Sequence, residues 1–174
     1  GVTATPKRKD GLENAFFMHI GEIAHVGTKS MLTAKVKYVN ANMIVTDYMK
    51  RNMLNYRGLY DMNKVTQYIV DSETRNLQII QLLTEAVKAG RKVLLLSSRR
   101  DHLNTLAVGF EAYTAERKMR IPYGFYVGGM DEQDLRISST RSVILATFQM
   151  AQEGLDIPDL DTLFLATPKG DIVQ

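Results

Sequence analysis

Apolar positions in the second half of the chain recur at the spacing of amphipathic helices. The first predicted helix ends before Gly90, a residue type that commonly follows a helix C-terminus. Its apolar face consists of Leu77, Ile80, Leu83 and Val87. A second helix is predicted to begin near Asp101, whose carboxylate suits an N-cap. The inner face of this second helix consists of Leu103, Leu106, Ala107 and Phe110.

Four short apolar runs predict strands between and after these helices. They cover residues 92–96, 124–127, 142–146 and 162–166, and the first suits a strand that is buried on both faces. Asp131 is the predicted N-cap of a short helix that follows the second strand. Strands that alternate with helices indicate a parallel α/β sheet with right-handed crossovers.

The first 70 residues have a less regular pattern. Residues 12–20 predict a short helix with Asp10 as its N-cap. Residues 32–40 alternate apolar and polar side chains with a period of two, which predicts a half-buried strand. Residues 42–70 are polar and rich in Met, Tyr and Asn, and predict one or two irregular helices.

Composition excludes several classes of protein. The chain has 174 residues, enough for one average domain, and contains no cysteine for disulfides or thiolate metal sites, which fits an intracellular setting. The three histidines lack metal-ligand spacing, and no apolar run approaches the roughly 20 residues of a membrane span. We therefore expect neither a metal site nor a membrane role. A net charge of +3 is too small to indicate nucleic-acid binding by itself.

Polar side chains and glycines follow each predicted strand, at the sheet edge where parallel α/β folds bind ligands. These residues include Ser97, Ser98, Arg99, Arg100, Gly128, Gly129, Thr147, Thr167 and Lys169. Hydroxyls, backbone N–H groups and cations suit phosphate oxygens, so together they favour a phosphate-rich ligand. Taken singly, each of these loops is more readily explained as an ordinary polar turn. The chain has no nucleotide-binding P-loop and no recognisable Ser-His-Asp or Cys-His spacing.

Several segments resemble the conserved motifs of superfamily 2 helicases. Residues 144–158 are similar to motif V, residues 93–103 to motif IV, and residues 126–130 to the glycine-bearing strand end between these motifs. Residues 3–12 resemble motif III and its continuation, and residues 167–174 the approach to motif VI, with Gln174 as its first glutamine. Within the superfamily, the resemblance is to helicases of phages and large DNA viruses, including transcript-release types.

The resemblance implies a RecA-like (P-loop NTPase-type) α/β fold without its own P-loop. Residues 1–30 would form the tail of a first RecA-like domain with its linker, and residues 31–174 a second domain truncated at motif VI. Both chain ends suggest a fragment. By the resemblance, nucleic acid would contact Ser97, Ser98, Arg99, Gly128, Gly129 and Thr147. ATP would contact Glu153, Gly154 and Asp156, while Thr3 and Thr5 would couple hydrolysis to domain movement.

The family binds ATP and Mg²⁺ mainly through the first domain, and its motif VI arginines would follow Gln174. We therefore expect an ATP-dependent helicase as the parent protein and no ATP hydrolysis by this chain alone, because such arginines contribute up to roughly 10³–10⁵ in rate. The expected partners are DNA or RNA, with DNA favoured, and the transcription or replication machinery. We expect an intracellular protein. This expectation includes a viral protein that is present in the host cell or in the virion.

Two other functions fit parts of the sequence. A helicase-derived α/β module without catalytic activity would bind nucleic acid or another protein. A small-nucleotide-binding enzyme with dinucleotide-type topology would need a glycine fingerprint after its first strand, and residues 97–100 (Ser-Ser-Arg-Arg) do not form one. A P-loop upstream and a Gly-Arg-x-x-Arg sequence after Gln174 would favour the motor.

Overall fold

The computed structural model describes residues 13–21, 23, 34–41, 43–152, 155, 157 and 159–169. These residues belong to two compact units that divide between residues 39 and 40. In the first unit, helix α1 spans Glu13–Ile20, which confirms the short helix predicted there. The predicted cap, Asp10, lies outside the described residues.

The strand predicted for residues 32–40 is wrong for the part that is described. Residues 34–40 are exposed and adopt neither strand nor helix. The apolar side chains of the alternation face solvent, with Val36 70% and Tyr38 93% exposed. A period-two pattern forms a strand only where a neighbouring strand and an apolar core receive it, and these residues pair with none of the described strands.

The second unit is an α/β fold with a four-stranded, all-parallel sheet, as predicted. The strands have the order β2-β3-β1-β4. Their bounds are β1 Val93–Ser97, β2 Tyr123–Tyr126, β3 Val143–Thr147 and β4 Thr162–Leu165. The helices are α2 Asp47–Asn52, α3 Met62–Val70, α4 Glu73–Lys88, α5 Arg100–Glu116, α6 Glu132–Ser139 and α7 Phe148–Gln152. Residues 42–70, for which one or two irregular helices are predicted, form the two helices α2 and α3.

The ends of the helices follow the sequence with one exception. Gly90, which follows the C-cap residue Ala89 of α4, has a φ of 78°, and the N–H of Arg91 donates to the carbonyl of Ala86. This is the expected glycine-terminated helix end. Asp131 caps α6 by accepting the N–H of Asp134 at 2.8 Å, as predicted. Asp101 is not the N-cap of α5, because that helix begins at Arg100 and Asp101 lies in its first turn.

The central strand β1 is buried on both faces, which explains why it is a continuous apolar run. Val93 and Leu95 pack with the buried face of α5, which consists of Leu103, Leu106, Ala107 and Phe110 as predicted. Leu94 and Leu96 pack on the opposite face with Phe148 of α7. On α4, Ile80 and Leu83 are buried, whereas Leu77 remains 47% exposed.

One glycine fixes how closely α6 approaches the sheet. A Cβ atom on Gly124 in β2 would lie 2.7 Å from the Cα atom of Ser138 in α6, closer than any side chain can be accommodated. Among the described helices, none is long and apolar enough to cross a membrane.

Candidate functional site at the carboxyl edge of the sheet

The parallel register brings the ends of all four strands to one edge. Ser97 at the end of β1 is the register partner of Thr147 at the end of β3. Tyr126 of β2 pairs with Ala146, and Leu165 of β4 pairs with Leu96. The loops that follow these strands therefore begin at the same edge, where the sequence predicts a phosphate-rich ligand.

Ser97 is fully buried and its hydroxyl group is used inside the protein. Its Oγ lies 3.0 Å from Nδ1 of His102 and accepts the backbone N–H of Arg99 at 3.2 Å. Nε2 of His102 lies 3.0 Å from Oδ1 of Asn76, and the amide nitrogen of Asn76 donates to the carbonyl of Val70 at 2.8 Å. A buried hydrogen-bonded network therefore runs from the end of β1 to the end of α3.

The hydrogen-bond directions in this network are mutually consistent for a neutral histidine. Because the Asn76 nitrogen donates to a carbonyl, its Oδ1 accepts from Nε2–H of His102. Nδ1 of His102 then carries no proton and accepts the Ser97 hydroxyl. Burial and, second, the charge of Arg75 lower the pKa of His102 to about 4, against a smaller opposing effect of Asp71. His102 is therefore uncharged at neutral pH.

This network contains a Ser-His-Asn set, but the geometry does not make it a nucleophilic site. Ser97 is 0% exposed, and Asn76 and His102 are also buried, so no substrate reaches the hydroxyl. The direct nucleic-acid contact predicted for Ser97 is likewise not available in this structure. The hydroxyl instead holds the backbone N–H of Arg99, which fixes the loop that presents Ser98 and Arg99.

Further bonds tie the end of β1 to the end of β4. The N–H of Ser98 donates to Oγ1 of Thr167 at 2.8 Å, and the N–H of Ala166 donates to the carbonyl of Leu96 at 2.8 Å. Arg75 donates from Nη2 to the carbonyl of Ala166 at 2.6 Å, while its Nη1 is buried without a hydrogen-bond partner among the described residues. The Ser98 side chain is exposed and that of Arg99 is half-buried.

The end of β2 is open. Gly128 and Gly129 are both exposed, and a Cβ atom added to either would meet no atom within 4 Å. Gly129 has a φ of 84°, so its own conformation favours glycine, whereas Gly128 has no such requirement. Thr147 at the end of β3 is half-buried. Nearby in the fold, the ammonium group of Lys169 lies 5.6 Å from the ring centre of Phe148, which follows Thr147.

The structure thus brings the ends of β1, β2 and β3, with the residues there that the sequence predicts to contact nucleic acid, to one edge of the sheet. The remaining predicted site residues lie outside the described residues, namely Thr3, Thr5, Glu153, Gly154, Asp156 and Gln174. Sequence reasoning missed the roles of Asn76 and His102. His102 and Asn76 are 26 positions apart on two helices, and no local pattern indicates that their side chains meet.

Comparisons with known proteins agree with the helicase resemblance at a coarse level. No family model matches the chain. The chain is similar over its whole length to an Acanthamoeba polyphaga mimivirus protein named "Putative ATP-dependent RNA helicase L396", with 28% identity over 190 aligned positions. The match covers 33% of that protein, so the chain spans about a third of the length of this curated relative. This similarity supports a relationship to helicases.

Proposed function

We propose that the chain is part of an ATP-dependent helicase or translocase of superfamily 2, and that the carboxyl edge of its sheet holds the phosphate backbone of a polynucleotide. The observation that carries the proposal is the meeting of three strand ends at this edge. They bring an exposed serine, a half-buried arginine, an exposed double glycine and a half-buried threonine together. Whole-length similarity to a viral helicase supports the same class.

Each group at this edge has a defined role in the proposal. Ser98, Arg99 and Thr147 donate hydrogen bonds to phosphate oxygens, and Gly128 and Gly129 let the backbone approach closely. Ser97 acts as a positioning residue through the N–H of Arg99. Contacts of this kind are with the backbone of the polynucleotide, so binding tolerates sequence changes and weakens with salt.

The proposal includes the use of ATP, which is supported by the resemblance of the motifs and by the name of the viral relative. The residues that would contact ATP, Glu153, Gly154 and Asp156, lie outside the described part, as do Thr3 and Thr5 of the proposed coupling segment. No group of three acidic or histidine side chains among the described residues is arranged to hold a metal ion. In the proposal, as the resemblance implies, Mg²⁺ is bound mainly by the first, P-loop-containing domain of the helicase.

The proposed site accepts either DNA or RNA. The name of the viral relative specifies RNA, which does not support the preference for DNA expected from the motifs. In the proposal, the groups at the sheet edge bind phosphate oxygens and therefore do not distinguish ribose from deoxyribose. The binding experiment therefore compares single-stranded DNA and RNA of the same length and sequence.

The test measures the affinity of the chain for labelled single-stranded oligonucleotides at several salt concentrations. Replacement of Arg99 by Gln removes one phosphate contact, so the slope of log affinity against log salt becomes shallower by about 0.7. The matched control is Arg117→Gln, since Arg117 is exposed at the far end of α5 and stacks on Tyr113 at 3.5 Å. Equal slopes for wild type, Arg99→Gln and Arg117→Gln would contradict the proposal.

A non-catalytic module derived from a helicase remains the second candidate, because the same edge would bind nucleic acid without hydrolysis. The two are separated by ATPase activity of the longer protein, with and without polynucleotide. Activity stimulated by nucleic acid and reduced by Arg99→Gln favours the motor. Binding without any hydrolysis favours the module.

A further inference from the structure

A cavity of about 280 Å³ opens next to the proposed phosphate-binding edge. It is lined by Arg100, Asn104, Phe125, Val127 and Met130. Val127 and Met130 directly flank the double glycine, and Arg100 directly follows Arg99. Residues that line the cavity are therefore direct sequence neighbours of two segments that bind phosphate in the proposed function.

The walls of the cavity differ in chemistry. Phe125, Val127 and Met130 supply an apolar floor and are buried or half-buried. Arg100 and Asn104 supply an exposed polar rim, and their i, i+4 spacing on α5 places both side chains on one helix face. Neither rim side chain has a polar partner within the part of the chain that the structure describes. The rim groups are thus available to a ligand.

These features match one kind of group in a polynucleotide. A nucleobase has flat apolar faces, which pack on an apolar floor or under a guanidinium plane, and an edge of donors and acceptors, which suits an amide. The volume is just below the roughly 300–1,000 Å³ of pockets for small organic ligands, which fits one base better than a whole dinucleotide cofactor.

We propose that this cavity takes one unpaired nucleobase of the strand whose phosphates lie on the adjacent edge. The inference rests on the proposed function, because the phosphate contacts bring the strand to the cavity. Arg100 covers a face of the base and Asn104 hydrogen-bonds its edge. The site thus adds contacts with a base to the contacts with the phosphate backbone at the sheet edge.

The test compares a 12-residue oligonucleotide with the same backbone lacking its bases. Asn104→Ala is expected to weaken binding of the complete oligonucleotide by about fivefold, because it removes the amide that hydrogen-bonds the edge of the base. Binding of the abasic strand is expected to stay unchanged. The matched control is Asn63→Ala, which removes another exposed helical asparagine, on α3 and not in the cavity lining.

Arg99→Gln separates failure of this inference from failure of the proposed function. If Arg99→Gln weakens both strands and Asn104→Ala weakens neither or both equally, the base site is wrong and the phosphate grip stands. If Arg99→Gln affects neither strand, the proposed function fails with it. Thermal unfolding of each variant shows whether the domain is intact, and Asn104→Gln, which keeps an amide, should recover part of the lost affinity.

Discussion

The ends of β1 and β2 lie at the same edge of one sheet but are built in opposite ways. At the end of β1, Ser97 is fully buried and its hydroxyl bonds to His102 and to the N–H of Arg99. At the end of β2, Gly128 and Gly129 are exposed, with open space where a side chain would be. The closed end holds its loop in place, and the open end leaves room for a ligand.

This difference predicts a division between stability and binding. Polar groups at the closed end use their hydrogen bonds within the protein, so a change there costs folding energy before it affects a ligand. The open end makes few internal contacts, so a change there affects a ligand with little loss of stability. Unfolding and binding measurements on the same variants test both halves of the comparison.

The largest effect is expected from His102→Ala. The change leaves the buried O–H of Ser97 without its acceptor and the buried Oδ1 of Asn76 without its donor, and it creates a cavity beneath α5. Together these losses cost about 3 kcal/mol or more of unfolding free energy. Urea denaturation measures the difference, and His19→Ala is the control because His19 is exposed on α1. A loss below about 1 kcal/mol would mean that the network contributes little to the fold.

A somewhat smaller effect is expected from acid. The folded pKa of His102, about 4, lies below the value near 6.5 of an unfolded chain, so the unfolded state takes up the proton first as pH falls. The stabilising contribution is complete above pH 6.5, is lost as pH falls from about 6.5 towards 4, and amounts to at most about 3 kcal/mol.

The measurement is the unfolding free energy at pH 7.5, 5.5 and 4.5 for wild type and His102→Gln. Carboxylates elsewhere in the chain also take up protons as the pH falls, and the charge of Asp71 acts on the His102 ring. Only the difference between the two proteins therefore reports on His102. The difference should shrink as pH falls, and a constant difference over this range would show that His102 does not remain neutral in the fold.

The sheet could be predicted from sequence because its signals are local. Each strand begins and ends within one residue of its apolar run. In the central strands β1 and β3, burial on both faces demands a continuous run such as residues 93–96. Residues 34–40 carry an equally regular pattern but form no strand. Alternating apolar and polar side chains would give a strand one apolar and one polar face. Such a segment forms a strand only where it pairs with a neighbouring strand and packs its apolar face against a core.

The site was predictable only in its outline. Strand ends and turn glycines can be read from the chain, so Ser98, Arg99, Gly128 and Thr147 could be assigned to one edge. The burial of Ser97 depends on His102, which in turn depends on Asn76 from another helix. Such a contact is decided by how α4 and α5 pack, which no local pattern encodes. The cavity between α5 and the end of β2 could not be predicted from the sequence for the same reason, because it also depends on how these elements pack.

The smallest effect on stability is expected at the double glycine, where the comparison is sharpest. Gly129→Ala should cost about 1 kcal/mol, because alanine is strained at a φ of 84°. Gly128→Ala should leave the unfolding free energy unchanged within about 0.5 kcal/mol, because the added methyl group meets no protein atom within 4 Å. In the proposed function, however, that methyl group occupies space that a phosphate approaches.

Gly128→Ala should therefore weaken oligonucleotide binding several-fold in a protein that unfolds like wild type. Fluorescence anisotropy with the complete and the abasic strand should show the same loss for both, because the clash is with the backbone. Gly58→Ala provides the contrast: this glycine has a φ of 73° in a turn and open space around it, so alanine should cost stability and leave binding unchanged. If Gly128→Ala binds both strands like wild type, the polynucleotide does not approach the open end of β2, and the contrast with β1 is structural only.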